Sequence, residues 1–141
     1  MTAATVWTPG TTLPPRAHHV DQPLIALYAE ISGDHNPLHT DPAFAAGTHF
    51  GRTIAHGMMT LAFLSAALET WAGPAWPNGG TIDVTFLSPV YPGEDVIVSG
   101  TVVAGEEPDI VTCAVECMVA DRKIVAGTAR WPLSVAGVTS R

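Results

Sequence analysis

The stretch that decides the fold is residues 55–71, Ala-His-Gly-Met-Met-Thr-Leu-Ala-Phe-Leu-Ser-Ala-Ala-Leu-Glu-Thr-Trp. Drawn as a helix, it is apolar on nearly every side. His56 and Glu69 interrupt it, so a buried helix is predicted in preference to a membrane span, and no association with a membrane is expected. A helix without a polar face has to be wrapped by other elements, which the rest of the chain must supply.

Four strand-like runs follow this helix. Apolar residues alternate along them and short links rich in Pro, Gly and Asp separate them, so an antiparallel sheet is predicted. The runs are Thr81–Phe86, Asp95–Val103, Ile110–Val119 and Lys123–Leu133. One buried helix against one curled antiparallel sheet is an α+β arrangement, and the 141 residues suffice for a single domain of this kind. Residues 1–12 are expected to form an extended arm and residues 135–141 a C-terminal tail.

The segment before the buried helix combines regular structure with a long loop. A short strand is predicted near Arg16–Val20, followed by a helix that begins after the N-cap Asp21 and ends at Gly33. Residues 34–52 are predicted to be a loop with at most short turns, because two Asx-Pro pairs and a glycine interrupt them. A loop this long inside a small domain is commonly functional.

The composition bears on the partners of the chain. Its net charge is −7, and its six Lys and Arg residues are scattered, so the basic surface that a nucleic-acid-binding protein needs is missing. Charged residues make up only 13% of the chain, against the usual quarter. A partner subunit that covers part of the surface is therefore expected.

The two cysteines predict the compartment. Cys113 and Cys117 fall in one predicted strand, where four residues span about 13 Å, which is too far for a disulfide. Reduced, packed thiols are typical of a cytoplasmic protein. Residues 1–10 have neither the basic start nor the apolar run of a signal peptide, which favours the same location.

Three motifs carry a family resemblance. Residues 33–39 read Gly-Asp-His-Asn-Pro-Leu-His, residues 54–58 read Ile-Ala-His-Gly-Met, and residues 86–93 read Phe-Leu-Ser-Pro-Val-Tyr-Pro-Gly. In this order, over about residues 24–100, they resemble the MaoC-like or (R)-specific enoyl-thioester hydratase family of hot-dog-fold proteins. The resemblance implies a hot-dog domain, a curled antiparallel sheet around a long central helix. It also implies a homodimer whose two sheets join edge to edge.

The resemblance further implies a lyase that adds water to a 2-enoyl thioester, or removes it from an (R)-3-hydroxyacyl thioester, of coenzyme A or an acyl carrier protein. This reaction needs a base, an acid and donors that hold the enolate oxygen. Asp34 and His39 lie five residues apart in a loop stiffened by Pro37, so both can point into one cavity as an acid–base pair. The family uses the matching Asp and His to hold the attacking water. The sequence leaves open which of them takes the proton.

A donor for the enolate oxygen is predicted at the helix start. Gly57 lies at or just inside that start, where backbone N–H groups have no partner within the helix. Without a side chain, it lets a thioester carbonyl approach the backbone closely. The resemblance also implicates Ser65 as a supporting residue. Eight positions beyond Gly57, it is expected near the same helix face, where it would orient Asp34.

Four further residues are expected around the substrate: Asn36, Phe50, His56 and Met58. Asn36 is interpreted as holding the loop by bonding to backbone. His56 by itself is interpreted as a packed, hydrogen-bonded histidine in preference to a catalyst. Met58 is typical of packing but would also suit an apolar slot for an acyl chain. Three arginines are interpreted as solvated cations in preference to carrier-phosphate contacts: Arg16, Arg52 and Arg130.

A metal site and cofactors are not expected. Histidines and one aspartate cluster in the sequence: Asp34, His35, His39, His49 and His56. Residues 35 and 39 would need helical geometry to bind one ion together, and Pro37 argues against a helix there. No cysteine accompanies them, and the sequence has neither a glycine-rich phosphate loop nor a nucleophile elbow.

Three other functions stay open. The same site would polarise C3 of an enoyl thioester toward any nucleophile, so conjugate addition of an amine in a biosynthetic pathway is one. Hydrolysis by a hot-dog thioesterase is another, although Glu69, the acid that the central helix offers, lies too far along it. A non-catalytic subunit that binds acyl thioesters is the third, and it would not need both Asp34 and His39.

Overall fold

The computed structural model of the protein describes residues 7–134. Within them, β1 precedes four helices and a short fifth one, and four further strands follow. The elements are β1 (Arg16–Val20), α1 (Gln22–Ser32), α2 (Pro37–Thr40), α3 (Pro42–Ala46), α4 (Gly57–Ala72), α5 (Ala75–Gly79), β2 (Thr81–Phe86), β3 (Glu94–Val103), β4 (Ile110–Val119) and β5 (Arg122–Pro132). The expected arm is described only from residue 7, and the expected tail at 135–141 lies outside the described residues.

The strands form one antiparallel sheet in the order β1-β3-β4-β5-β2, which confirms the predicted α+β arrangement. Alternation decides which side chains face the core. Along β3, for example, every second residue from Val96 to Val102 is buried, whereas Ile97, Ser99 and Thr101 between them are more exposed. The buried face packs against α4, whose Leu64 and Leu68 are fully buried. The predicted central helix inside a sheet is therefore confirmed.

Helix α1 begins and ends where the sequence predicts. The side chain of Asp21 accepts a hydrogen bond from the N–H of Leu24, and Gly33 closes the helix in the left-handed conformation at φ 76°. The N–H of Gly33 donates to the carbonyl of Ala29. This turn requires positive φ, which glycine adopts without strain, and it leads directly into Asp34.

The long loop contains two single turns of helix. The first, α2, begins at Pro37, where the sequence analysis argued against helix; proline is tolerated there because it stands in the first turn. Asn36 caps α2 and Asp41 caps α3, each followed by a proline in the first turn. Helix α4 begins two residues later than predicted, because the backbone at His56 is still extended, with ψ 133°. The link between α4 and β2 contains the short helix α5.

None of the helices in the described residues combines the length and the apolar character that crossing a bilayer requires.

The edge strands of the sheet are β1, which pairs with β3, and β2, which pairs with β5. One side of β1 and one side of β2 are therefore not paired within the described part of the chain.

Candidate active site

The structure brings Asp34 and His39 together as predicted. Atom Nε2 of His39 lies 4.0 Å from Oδ2 of Asp34. This distance is too long for a direct hydrogen bond, but one water molecule can contact both atoms. His39 is buried, whereas the Asp34 side chain is about half exposed at 54%. The pair therefore lies at the boundary between the core and solvent.

One hydrogen bond orients the His39 ring. Atom Nδ1 lies 2.8 Å from the carbonyl oxygen of Ile54. A carbonyl only accepts, so in the neutral ring Nδ1 carries the proton and Nε2 keeps its lone pair. That lone pair is on the side of Asp34, which makes Nε2 of His39 the atom prepared to accept a proton.

The backbone around the pair is held by short-range polar contacts. Oδ1 of Asp34 accepts a hydrogen bond from the N–H of Asn36 at 3.2 Å, and Oδ1 of Asn36 accepts one from the N–H of Leu38 at 3.0 Å. These are Asx turns, in which a side chain satisfies the backbone two residues later. Asn36 thus holds the loop, as expected. Its place among the substrate-binding residues stays a prediction.

Gln22 is a structural residue that the sequence analysis missed. Its side-chain amide donates to the carbonyl of His39 at 2.8 Å and accepts from the hydroxyl of Thr53 at 2.7 Å. It therefore connects helix α1 to the first motif at His39 and to Thr53, the residue directly before the second motif. The sequence held no signal for this role, because a glutamine in the first turn of a helix is ordinarily solvated.

His56 contacts both members of the Asp34–His39 pair. Its ring is buried and stacks on that of His39, with centroids 3.8 Å apart and planes 27° apart. Atom Nε2 donates to the backbone carbonyl of Asp34 at 3.0 Å, and the Tyr28 ring lies 4.8 Å away. One imidazole thus touches both candidate catalytic residues. The interpretation of His56 as a packed, hydrogen-bonded histidine agrees with these contacts.

The environment keeps His56 neutral. Burial is the main cause that lowers its pKa below the ordinary value. The hydrogen bond to the Asp34 carbonyl acts in the opposite direction, and the neighbouring His39 lowers the pKa again. The negative charge of the Asp34 carboxylate also raises the pKa of His56, but burial outweighs it and the net shift favours the neutral ring.

Gly57 is the first residue of α4, as predicted. The side chain of its N-cap, His56, makes no capping hydrogen bond, so the first-turn amides are left without a side-chain partner. A Cβ built at residue 57 would lie 3.3 Å from Cε1 of Phe86, which is tight. The missing side chain therefore keeps the approach to the helix start open.

A mostly apolar cavity of about 280 Å³ adjoins Gly57. Its lining comes from the segment that leads into the first residue of α4 and from the end of β2 with the turn that follows: Phe50, Ile54, Ala55, Gly57, Phe86, Leu87, Ser88 and Pro89. The expected Phe50 is among these residues. Met58 is not, and its side chain is largely exposed at 58%.

The expected contact between Ser65 and Asp34 is not present in the structure. Among the described residues, the partner of the Ser65 hydroxyl is Nε1–H of Trp76, at 3.1 Å. Eight residues advance about 12 Å along a helix and turn about 80° from the starting direction. Ser65 is therefore far from the α4 start and on another side, where it joins α4 to α5.

Ligand atoms of Asp34, His39 and His56 lie within 4.8 Å of one another, a spacing that a metal ion could use. Two of the nitrogens already serve backbone carbonyls, Nδ1 of His39 and Nε2 of His56. With the Nε2 proton of His56 engaged, Asp34 and His39 are left as two free ligands. The donor set thus fits acid–base chemistry better than a metal centre. His35 and His49, which the sequence pattern also included, are not part of this group.

Comparison with known proteins assigns the family. The family model described as MaoC like domain matches residues 5–123. The chain belongs to the MaoC-like family. This MaoC-like chain is 40% identical over 87 residues to the (R)-specific enoyl-CoA hydratase of Aeromonas caviae. The alignment covers 59% of this chain and 62% of that protein.

It is also 44% identical over 77 residues to the peroxisomal enoyl-CoA hydratase 2 of Arabidopsis thaliana, covering 54% of this chain and 25% of that protein. The MaoC-like chain thus spans less than two thirds of the length of either relative. Among solved structures, the (R)-hydratase of Aeromonas caviae superimposes with a TM-score of 0.77 at 30% identity, covering 90% of this chain and 97% of that one. The predicted hot-dog fold is confirmed.

Proposed function

We propose that the protein is a hydratase/dehydratase that adds water to a 2-enoyl thioester or removes it from an (R)-3-hydroxyacyl thioester. The carrier is coenzyme A or an acyl carrier protein. The observation that carries this proposal is the lone pair of His39 Nε2, set 4.0 Å from the Asp34 carboxylate and near the uncapped start of α4. The names of the relatives, which are enoyl-CoA hydratases, support it.

The reaction follows from these positions. A water molecule held by Asp34 and His39 attacks C3 of the enoyl group while Nε2 of His39 takes its proton. The electron pair of the C2–C3 double bond moves onto the thioester oxygen, which accepts a hydrogen bond from the N–H of Gly57. Nε2 of His39 then delivers this proton to C2, where a C–H bond forms as the enolate electrons return from the oxygen, and the 3-hydroxyacyl thioester dissociates. The Asp34 carboxylate stabilises the His39 imidazolium between the two proton transfers.

The acyl chain occupies the apolar cavity beside Gly57. Its mostly apolar lining suits a hydrocarbon chain, and its volume of about 280 Å³ favours a short or medium one. A hydrolytic thioesterase reaction has less support. Glu69, the acid of the central helix, is exposed and lies three residues before the end of α4.

The proposal includes a homodimer joined through β2. One side of this strand is unpaired within the described residues, and an unpaired edge invites a second strand. Apolar side chains that are about half exposed lie beside it: Met58, Phe86 and Leu87. A cytoplasmic location, expected from the buried, unpaired thiols of Cys113 and Cys117, remains part of the proposal. Sedimentation at micromolar concentration should give the mass of two chains, and a monomer would contradict the dimer.

The experiment that tests the function follows the enoyl-thioester absorbance of crotonyl-CoA with purified protein. We expect absorbance to fall as water adds, with (R)-3-hydroxybutyryl-CoA as the product on chiral analysis. Parallel samples contain a thiol reagent or an added amine. Release of free thiol would overturn the proposal in favour of a thioesterase, and a preferred amine adduct would redirect it to conjugate addition. Binding without turnover of crotonyl-, octenoyl- and bulkier thioesters would indicate a non-catalytic subunit.

A further inference from the structure

Two arginines converge on one aromatic ring beside the candidate site. The guanidinium carbon of Arg52 lies 5.1 Å from the centroid of the Tyr91 ring, and that of Arg122 lies 5.7 Å from it. The whole chain has only six Lys and Arg residues and a net charge of −7. Two cations on one ring are therefore a strong local exception to the charge of the molecule.

The two arginines differ in how their charge is used. Arg122 binds both carboxylate oxygens of Glu94, at 2.7 and 2.8 Å, and the carbonyl of Pro89 at 3.2 Å. The same carboxylate accepts the N–H of Tyr91, so Arg122 and Glu94 brace the ring. Their charges cancel, and this pair is therefore structural.

The charge of Arg52 is not neutralised by a carboxylate among the described residues. Arg52 is exposed and donates to the carbonyl of Pro92 at 3.0 Å, which fixes the position of its head group. No carboxylate within residues 7–134 pairs with it at salt-bridge distance. A guanidinium held on an aromatic face with spare N–H groups is prepared to bind an anion.

This cluster of Arg52, Tyr91 and Arg122 borders the acyl cavity. Arg52 lies between the lining residues Phe50 and Ile54, and Tyr91 follows the lining residue Pro89 by two positions. The two segments run side by side, since the N–H of Ala55 donates to the carbonyl of Val90 at 2.8 Å. Gly57 lies five positions after Arg52, so the backbone from one to the other spans at most about 17 Å. An extended pantetheine arm reaches over such a distance.

We infer that Arg52, supported on Tyr91, binds a phosphate group of the acyl carrier. This inference rests on the proposed function, in which the thioester carbonyl lies at Gly57 and the carrier extends out of the site. Every natural carrier of these thioesters has a phosphate at the far end of its pantetheine arm. Arg16 and Arg130 do not share this setting. Arg16 donates to Thr70, and Arg130 is exposed on β5, where its cross-strand neighbours are Thr81 and Thr112. The interpretation of Arg52 as a solvated cation is revised on these grounds.

The test combines one substitution with a series of substrates of decreasing charge. Wild-type protein and Arg52→Gln are compared on crotonyl-CoA, crotonyl-4′-phosphopantetheine and crotonyl-pantetheine, which lacks phosphate. We expect the substitution to raise KM about five- to tenfold on a phosphorylated substrate, with kcat nearly unchanged, and to leave crotonyl-pantetheine within twofold. Arg52→Lys should recover part of the loss. Added salt should weaken the effect, because the contact is exposed.

Arg130→Gln is the matched control, since it removes the same charge from β5 of the sheet, whereas Arg52 lies in the loop before α4. It should leave all three substrates within twofold of wild type. A loss on both phosphorylated substrates assigns Arg52 to the arm phosphate that coenzyme A and carrier protein share. A loss on crotonyl-CoA alone assigns it to the nucleotide phosphates.

An equal rise of KM on crotonyl-pantetheine, or no rise on any substrate, would overturn the inference. The same would follow if Arg130→Gln matched the effect of Arg52→Gln, because net charge alone would then be responsible. Failure of the proposed function looks different. In that case wild-type protein would hydrate none of the three crotonyl thioesters.

Discussion

The loop of residues 34–52, called the motif loop below, and the sheet with its central helix α4 are held in place by different kinds of interaction. The side chains of the sheet and of α4 are positioned by apolar burial, as at Leu64 and Val98, which are fully buried. Asp34 and His39 are positioned by polar contacts, to Asn36 and to the Ile54 carbonyl. We therefore expect stability and the proposed chemistry to depend on different regions. Substitutions should separate them, changing the rate in one region and the free energy of unfolding in the other.

The largest expected effect comes from the motif loop. Asp34→Asn and His39→Gln should each lower kcat for crotonyl-CoA by about 10²–10⁴-fold, because each removes one of the two groups that activate water. The free energy of unfolding in urea should change by only about 1 kcal/mol. A variant that loses activity in proportion to its loss of folded protein would contradict the separation of the two regions.

A smaller effect is expected where the two regions meet. Gly57→Ala places a methyl group at the α4 start, 3.3 Å from a Phe86 ring that is itself half exposed and able to shift. We expect stability to change by less than about 1 kcal/mol, since alanine is a better helix former than glycine. The methyl group should restrict the carbonyl approach and lower kcat/KM about tenfold, corresponding to about 1.4 kcal/mol.

Gly47→Ala is the matched control for that substitution. A Cβ there would lie 3.5 Å from the carbonyl oxygen of Phe44, which is ordinary contact. Its activity should equal that of wild type. Unchanged turnover by Gly57→Ala would remove the backbone donor from the mechanism.

The pH dependence of stability tests the neutral His56. Its pKa is lower in the folded protein than in the unfolded chain, so the unfolded state binds more protons below about pH 6.5. The free energy of unfolding should therefore fall as the pH drops from 7 to 5. His56→Gln should make this decrease shallower in urea titrations at several pH values. His18, whose pKa burial and Arg16 also lower, should account for part of the remaining decrease.

His35→Gln serves as the comparison, since that side chain is exposed. It should leave the free energy of unfolding at pH 7 close to that of wild type. An identical pH dependence in wild type and His56→Gln would show that His56 carries the same charge in both states.

The smallest effect on rate is expected on α4 itself. Ser65→Ala removes the acceptor of the Trp76 N–H and should cost about 1 kcal/mol of unfolding free energy. Turnover should stay within twofold of wild type, because Ser65 is distant from Asp34. A loss of tenfold or more with normal stability would restore the catalytic support that the family resemblance implied.

Much of the fold could be predicted because local patterns and burial agree. The alternation in β3 and β4, the N-cap Asp21 and the terminating Gly33 each follow from short-range rules. The start of α4 was missed by two residues because the extended backbone at His56 follows from its tertiary contacts. A helical pattern alone does not reveal such contacts.

The sequence indicated which residues form the candidate site but not which residues hold them in position. Asp34, His39 and Gly57 were chosen from motifs whose chemistry is recognisable from residue type, and their catalytic roles stay predictions. The bridge made by Gln22 and the stack of His56 on His39 depend on the meeting of segments far apart in sequence. Ser65 was misplaced because eight residues of a helix were treated as returning to the same face. The remaining angle of about 80° is enough to direct it elsewhere.

A double-mutant cycle on Asp34 and His39 measures most directly whether they act on one water molecule. Initial rates of crotonyl-CoA hydration are compared for wild type, Asp34→Asn, His39→Gln and the double variant. Groups that act as a unit are strongly non-additive, so we predict that the double variant is no more than about threefold slower than the slower single variant. Losses that multiply, so that the double variant shows the product of both, would contradict the account.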